Sequence, residues 1–255
     1  MSWLFVVLLA CGTATEEVAP PAAVRVVEAP KAPAALPDGW LEKVVGANDT
    51  AQPLPMVVMV HGLGARPESM LRLMSDLPGP ARVIAPRAPD PWNDGWSWFP
   101  TRAAGDEAVL AGQMAEVAEQ FVADLEAAQA ARPTEGKPIL SGFSQGGMLS
   151  FTVAVRHPDA IQLAVPVAGW LPEPLWPDGG PPPGAPPIRA LHGLDDTVLP
   201  FPRTSEGVAA LQGKGWDISM QAFPKVAHQV PTQVRRSLFR EVQTLLERPT
   251  GAAAP

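Results

Sequence analysis

The stretch Gly142-Phe143-Ser144-Gln145-Gly146 places a serine between small residues in the pattern G-x-S-x-G. An apolar run, Pro138 to Ser141, precedes it, and Gln145 to Arg156 follows with the composition of a helix. A sharp strand-to-helix turn of this kind lifts the hydroxyl clear of the backbone. It tolerates only small residues at its flanks, and it aims free N–H groups of the helix start at a developing oxyanion. Ser144 is therefore the candidate nucleophile for acyl transfer. The alternative is a serine in a glycine-rich turn without chemistry, and the flanking strand and helix favour the nucleophile.

A serine hydroxyl is a weak nucleophile until a base takes its proton, and that base is normally histidine. Of the four histidines, His61 ends the first strong apolar run and His157 ends the helix after Ser144. His192 closes a later strand, three residues before an acidic pair. His228 lies in a loop before the last helix, and it alone is late enough for the chain order nucleophile, acid, base. The acid is expected in a loop after a strand between Ser144 and His228. Ile188 to Leu191 is that strand, and His192-Gly193-Leu194-Asp195-Asp196 leaves it. On chemistry alone either aspartate can orient an imidazole. His61-Gly62-Leu63-Gly64 supplies a glycine-rich turn, so the backbone N–H groups of Leu63 and Gln145 are the candidate oxyanion hole. Acyl transfer by such a set needs no metal or organic cofactor.

The elements needed to hold these groups are legible as short apolar runs alternating with helical stretches, which predicts an α/β fold with a mostly parallel sheet flanked by helices on both faces. Met56 to Val60, Arg82 to Ala85, Pro138 to Ser141, Leu163 to Val167 and Ile188 to His192 read as buried strands. Trp216, Ile218, Met220 and Ala222 alternate with polar residues, as in a strand nearer an edge. Helices are expected over Pro67 to Leu77, Glu107 to Ala131, Gln145 to Arg156 and around Val234 to Leu245.

At 255 residues the chain is long enough for one domain, and a net charge of −7 without a basic run argues against nucleic acid as a partner. The single cysteine excludes an intrachain disulfide, and the sequence has neither a metal-ligand cysteine pattern nor a phosphate loop. Trp3 to Ala10 is apolar but far short of the ~20 residues a membrane span takes. Leu8-Leu9-Ala10-Cys11 resembles the lipobox of bacterial lipoproteins, although no Lys or Arg precedes the apolar run. This gives residues 1–10 as a lipoprotein signal peptide, Cys11 as the lipidation site and residues 11–38, rich in Pro and Ala, as a tether. The catalytic domain is then 39–248, with 249–255 a disordered tail. The expected location is the bacterial cell envelope, with a lipid anchor on Cys11 holding the protein to a membrane; an ordinary apolar N-terminus of a cytoplasmic protein is the alternative.

Taken together, the motifs resemble the phospholipase/carboxylesterase group of α/β-hydrolases, which includes acyl-protein thioesterases. The stretches that carry the resemblance are His61-Gly62-Leu63-Gly64, Ala85-Pro86-Arg87-Ala88-Pro89 with Trp98-Phe99, Gly142 to Gly147, Gly169-Trp170-Leu171-Pro172 and His192 to Pro200. The family pattern His-Gly-x-x-Asp-x-x-Val-Pro puts the acid four residues after the histidine, which selects Asp196 over Asp195; Leu199 stands where valine is common. The resemblance implies the α/β-hydrolase fold, the triad Ser144, Asp196 and His228, and hydrolysis of a small carboxylic ester, a lysophospholipid or a thioester. Trp98 and Phe99 are candidates for the acyl-pocket wall, the alternative being core packing. Segments 90–97 and 173–187 depart from the family pattern and are expected to border the site. A second class remains, a surface-anchored binding protein that keeps this fold without the chemistry. Oligomeric state is not encoded in any motif.

Overall fold

The computed structural model describes residues 34–100 and 106–246; the apolar leader 1–10, Cys11, the tether up to residue 33 and the tail 249–255 lie outside the described residues. Nine strands and five helices follow in chain order. They are β1 (Leu41–Val45), β2 (Met56–Val60), α1 (Pro67–Leu73), β3 (Ala81–Ala85), β4 (Asp90–Trp92), β5 (Gly95–Ser97) and α2 (Glu107–Ala131), then β6 (Ile139–Phe143), α3 (Gln145–Arg156), β7 (Leu163–Val167), β8 (Ile188–Gly193), α4 (Phe201–Gly213), β9 (Ile218–Phe223) and α5 (Thr232–Leu246).

Seven strands form one sheet in the order β1-β3-β2-β6-β7-β8-β9. Only β1 is antiparallel, pairing Leu41 with Ala85 and Val45 with Ala81. The rest run parallel, with Val58 opposite Leu140 in β2–β6 and Ser141 opposite Val165 in β6–β7. Parallel strands covered on both faces are apolar without alternation. Accordingly, every residue of β2, β3 and β7 is buried.

Alternate residues of β2 feed two cores. Met56, Val58 and Val60 pack with Phe121, Leu125 and Leu149 from α2 and α3. Val57 and Met59 pack with Met70, Leu238 and Val242 from α1 and α5. Burying one such side chain contributes roughly 1.5–3 kcal/mol, so the two cores together outweigh any single polar contact. The layout is the α/β-hydrolase fold.

The expected strands are present, and β9 does lie at an edge, as its alternation predicts. Helices α2 and α3 begin and end where their patterns do, while α1 stops at Leu73 and continues to Leu77 only as turns. Three elements escape the sequence reading. β1, Leu-Glu-Lys-Val-Val, is mixed in polarity because it is an edge strand. α4 contains Pro202, Gly207 and Gly213, which obscure its helical period. Residues 90–97 form the hairpin β4–β5, with Pro91 opposite Trp96. An ion cluster fastens β1: Glu42 takes Nη1 of the buried Arg82 at 3.0 Å through one oxygen and Nε of Arg132 through the other.

Candidate active site

Ser144 sits between β6 and α3 with φ 59° and ψ −119°, a left-handed conformation that costs a non-glycine residue ~1–3 kcal/mol. Its surroundings hold it there. The Ser144 amide donates to Val167 O at 3.0 Å, and Met148 N donates to Ser144 O at 2.9 Å. A Cβ on Gly142 would stand 2.3 Å from Gly146 O, and one on Gly146 would stand 2.3 Å from Val60 O. Backbone fills both positions, so the two glycines of the motif are steric requirements of the turn.

The next strands bring the remaining groups. β8 ends at Gly193, and the loop after it carries Asp196; the loop between β9 and α5 carries His228. His228 Nε2 lies 2.9 Å from Ser144 Oγ, and His228 Nδ1 lies 2.7 Å from Asp196 Oδ2. With the carboxylate on Nδ1, that nitrogen carries the proton and Nε2 presents its lone pair to the serine hydroxyl. Asp196 Oδ1 accepts from Val198 N and Leu199 N, both at 2.9 Å, so the carboxylate is fixed at both oxygens. Asp195 is exposed and donates its amide to Val226 O instead. The geometry thus separates two aspartates that chemistry alone left equivalent.

A third residue meets Asp196. His192, fully buried, places Nε2 2.9 Å from Leu199 O and 3.4 Å from Asp196 Oδ2. Its Nδ1 lies 3.1 Å from Thr204 Oγ1, which donates to Gly169 O at 2.8 Å. Burial pushes the pKa of His192 below its ordinary value, against the opposing pull of the Leu199 carbonyl and Asp196. In the sequence His192 served as the end of a strand and as the start of the family pattern that selects Asp196, without a role of its own. Its spacing of four from Asp196, from the end of β8 into the following loop, was the available signal.

The candidate oxyanion loop is braced from two sides. Ala65 N donates to Gly62 O, Gly64 N to Trp96 O at 2.9 Å, and Trp96 N to Ala65 O at 3.1 Å, so hairpin β4–β5 grips the loop. His61 fixes its base: Nδ1 donates to Gly62 O at 2.8 Å, and Nε2 accepts from Ala88 N at 3.2 Å. That arrangement requires neutral imidazole, and burial accordingly lowers its pKa. Among the described residues the amides of Leu63 and Gln145 have no hydrogen-bond partner, so both donors remain open. The Gln145 side chain is a clamp that sequence reasoning missed. Its Oε1 accepts from Trp98 N at 3.1 Å and its Nε2 donates to Phe99 O at 2.8 Å.

Ser144 opens into a cavity of about 550 Å³ whose apolar wall includes Leu63, Phe99, Leu110, Met148, Val198 and Leu199. Trp170 and Arg203 complete one side. Of the two aromatics singled out in the sequence, Phe99 lines this cavity. Trp98 is core: its Nε1 donates to His61 O at 2.9 Å, its ring lies 5.7 Å from that of Phe121, and its open face borders a separate cavity beside Asp38 and Arg87. Segment 173–187 opens with a short 3-10 turn, Glu173–Leu175, and Trp176 of this segment lines a smaller cavity next to Ser144's. No group of three or more potential metal ligands occurs among the described residues.

Residues 41–246 match the family model described as phospholipase/carboxylesterase. A curated protein of Nocardia uniformis subsp. tsuyamanensis, named "Putative esterase NocK", is 29% identical over 161 residues, covering 61% of this chain and 44% of that one. The chain spans less than half the length of the curated relatives it matches. Among solved structures, esterase PE8 superposes with a TM-score of 0.68 at 20% identity, covering 80% of this chain and 98% of the other. Acyl-protein thioesterase 2 of Zea mays gives 0.62 at 21% identity, covering 81% and 99%. At these identities the structural likeness speaks for the fold.

Proposed function

The chain belongs to the phospholipase/carboxylesterase family, and from that premise we propose that it is a serine hydrolase cleaving carboxylic esters through an acyl-enzyme on Ser144. The observation that carries the proposal is the unbroken line Ser144 Oγ, His228, Asp196, at 2.9 Å and 2.7 Å, opening on an apolar cavity.

In this reading His228 Nε2 takes the serine proton as Oγ attacks the carbonyl carbon. The C–O bond of the ester then breaks, and His228 passes the proton to the departing alcohol. A water molecule, deprotonated by the same nitrogen, attacks the acyl-enzyme and releases the acid. Asp196 holds the imidazole in the required tautomer and stabilises its cationic form. The amides of Leu63 and Gln145 donate to the oxyanion, each worth about 3 kcal/mol of transition-state stabilisation. The apolar wall suits an alkyl acyl chain, and the same chemistry cleaves a thioester. The lipobox-like Leu8 to Cys11 supports a lipid-anchored protein of the cell envelope, which would give it exogenous esters or lysophospholipids as substrates.

The test is release of p-nitrophenol from acetate to palmitate esters, beside active-site labelling with a fluorophosphonate. Turnover and labelling are expected in the wild type and absent in Ser144→Ala. A folded wild type that neither labels nor turns over any ester overturns the proposal and leaves the binding-protein reading.

A further inference from the structure

The cavity at Ser144 is lined mostly by apolar side chains, and among the described residues Arg203 is the one charged residue on its wall. Arg203 stands in the first turn of α4, with Cζ 4.6 Å from the centre of the Trp170 ring. A guanidinium lying on an indole spends its flat face on the ring and keeps its in-plane N–H donors for a planar acceptor. Its amide donates to Pro200 O at 3.1 Å, but its side chain has no ion-pair partner among the described residues. Helix stability does not explain the charge either, since a cation in the first turn opposes the helix dipole and that turn has no acidic residue.

We propose that Arg203 is a specificity-determining residue that selects esters carrying an oxyanion group, a carboxylate or a phosphate, away from the scissile bond. The inference rests on the hydrolase reading above and narrows its substrate class. Such a group would meet an exposed guanidinium, held over the Trp170 ring and able to grip two oxygens at once, with the apolar wall taking the alkyl chain between it and Ser144. The opposing charges are Glu107, Glu173 and Glu206, which line the smaller adjoining cavity of about 160 Å³ that Arg203 also borders. They lie outside the cavity of Ser144, and Glu107 Oε1 is taken by the Glu173 amide at 2.8 Å. Were they to dominate, the site would favour a cationic substrate instead, which makes the two signs directly comparable.

The experiment measures kcat/KM for p-nitrophenyl esters of half-acids of increasing length, each beside its uncharged amide-terminated and its trimethylammonium-terminated counterpart. A second arm compares fatty-acid release from an acylglycerol phosphate and from the plain acylglycerol, which tells phosphate from carboxylate as the natural group. The readout is the anionic-to-neutral ratio in wild type, Arg203→Gln, Arg203→Lys and Arg203→Glu, each checked for folding by thermal melting. At one length at least, in one of the two arms, the wild-type ratio is expected on the order of tenfold, mostly through KM, as for one charge-assisted contact. It should fall toward unity in Arg203→Gln, persist in part in Arg203→Lys and invert in Arg203→Glu. A wild-type ratio near or below unity at every length and in both arms, preference for the cationic ester, or an unchanged ratio in Arg203→Gln overturns the assignment while leaving the hydrolase intact. Absence of turnover on every ester would remove both.

Discussion

His192 Nε2 lies 3.4 Å from Asp196 Oδ2, the oxygen that also receives His228 at 2.7 Å. Two histidines therefore flank one carboxylate oxygen, one facing the nucleophile and the other the interior. The inner one also binds Leu199 O, and so ties the loop that carries Asp196 to its own strand end. We expect His192→Phe, which removes this donor, to lower kcat on the order of ten- to a hundredfold through displacement of the acid. His192→Gln keeps an N–H for Leu199 and should recover most of that loss. Equal losses in the two variants, measured as kcat at matched folded fraction, would reduce His192 to packing.

Asp196→Asn and Asp195→Asn form a sharper pair. The first removes the charge that sets the tautomer of His228 and should cut kcat by about 10³–10⁴-fold. The second alters an exposed side chain and should change kcat less than about twofold, the range of a surface substitution. Steady-state rates on a p-nitrophenyl ester decide it, and a large loss in Asp195→Asn would reverse the assignment of the acid.

Gly193 ends β8 where the acid loop packs against the backbone of the base loop. A Cβ there would stand 2.2 Å from Val226 O, in the loop that holds His228. Gly193→Ala is expected to cost about 1–3 kcal/mol of stability, as overpacking does, together with a fall in kcat. Urea unfolding and activity should move together; unchanged stability would show that the loop yields freely.

Gln145→Ala should loosen the wall that Phe99 provides. It leaves Trp98 N without its partner and takes one of two donors from Phe99 O, which keeps Ser97 Oγ at 2.9 Å, at a cost of about 1–3 kcal/mol for the buried group left unpaired. The ester chain-length profile is expected to flatten, because the cavity loses a fixed side. A profile unchanged in shape would place the clamp's role in stability alone.

Acid should destabilise the fold through His61 and His192. Burial holds the pKa of each below its ordinary value of 6.5, so the unfolded chain binds protons that the native state refuses. Stability is thus full above that value and falls as pH drops below it, toward the lower folded pKa. The melting temperature is expected to decline as pH falls below 6.5, and less steeply in His192→Gln. An equal slope in the variant would remove His192 from the account and leave the decline to His61 or to carboxylates.

Much of this site is legible in the chain because its constraints are local. Ser144 is marked by Gly142 and Gly146, whose absence of Cβ the turn demands, and β2, β6 and β8 are marked by apolar runs. The choice between Asp195 and Asp196 is not local, since it depends on which side chain the loop turns inward, and only family likeness or coordinates resolve it. Trp98 and Phe99 look alike in sequence and both are buried in one core, yet only Phe99 lines the cavity at Ser144. The bend that separates their surroundings leaves no trace in residue type. α4 is hidden for a different reason: Pro202, Gly207 and Gly213 obscure the helical period, although Val208 and Leu211 are buried on its inner face. Arg203 went unnoticed with it.

The edge position of β9 has a consequence for how the protein fails. Ser144 and His228 are 84 residues apart and meet only when the last strand and the following helix are docked. β9 has one neighbour in the sheet, so the segment bearing the base is held from one side while the nucleophile is held from both. Opening of that flank alone would disarm the molecule with its interior intact. Loss of turnover is then a report on one border of the sheet, and it should precede, at lower denaturant, any signal that the whole chain has come apart.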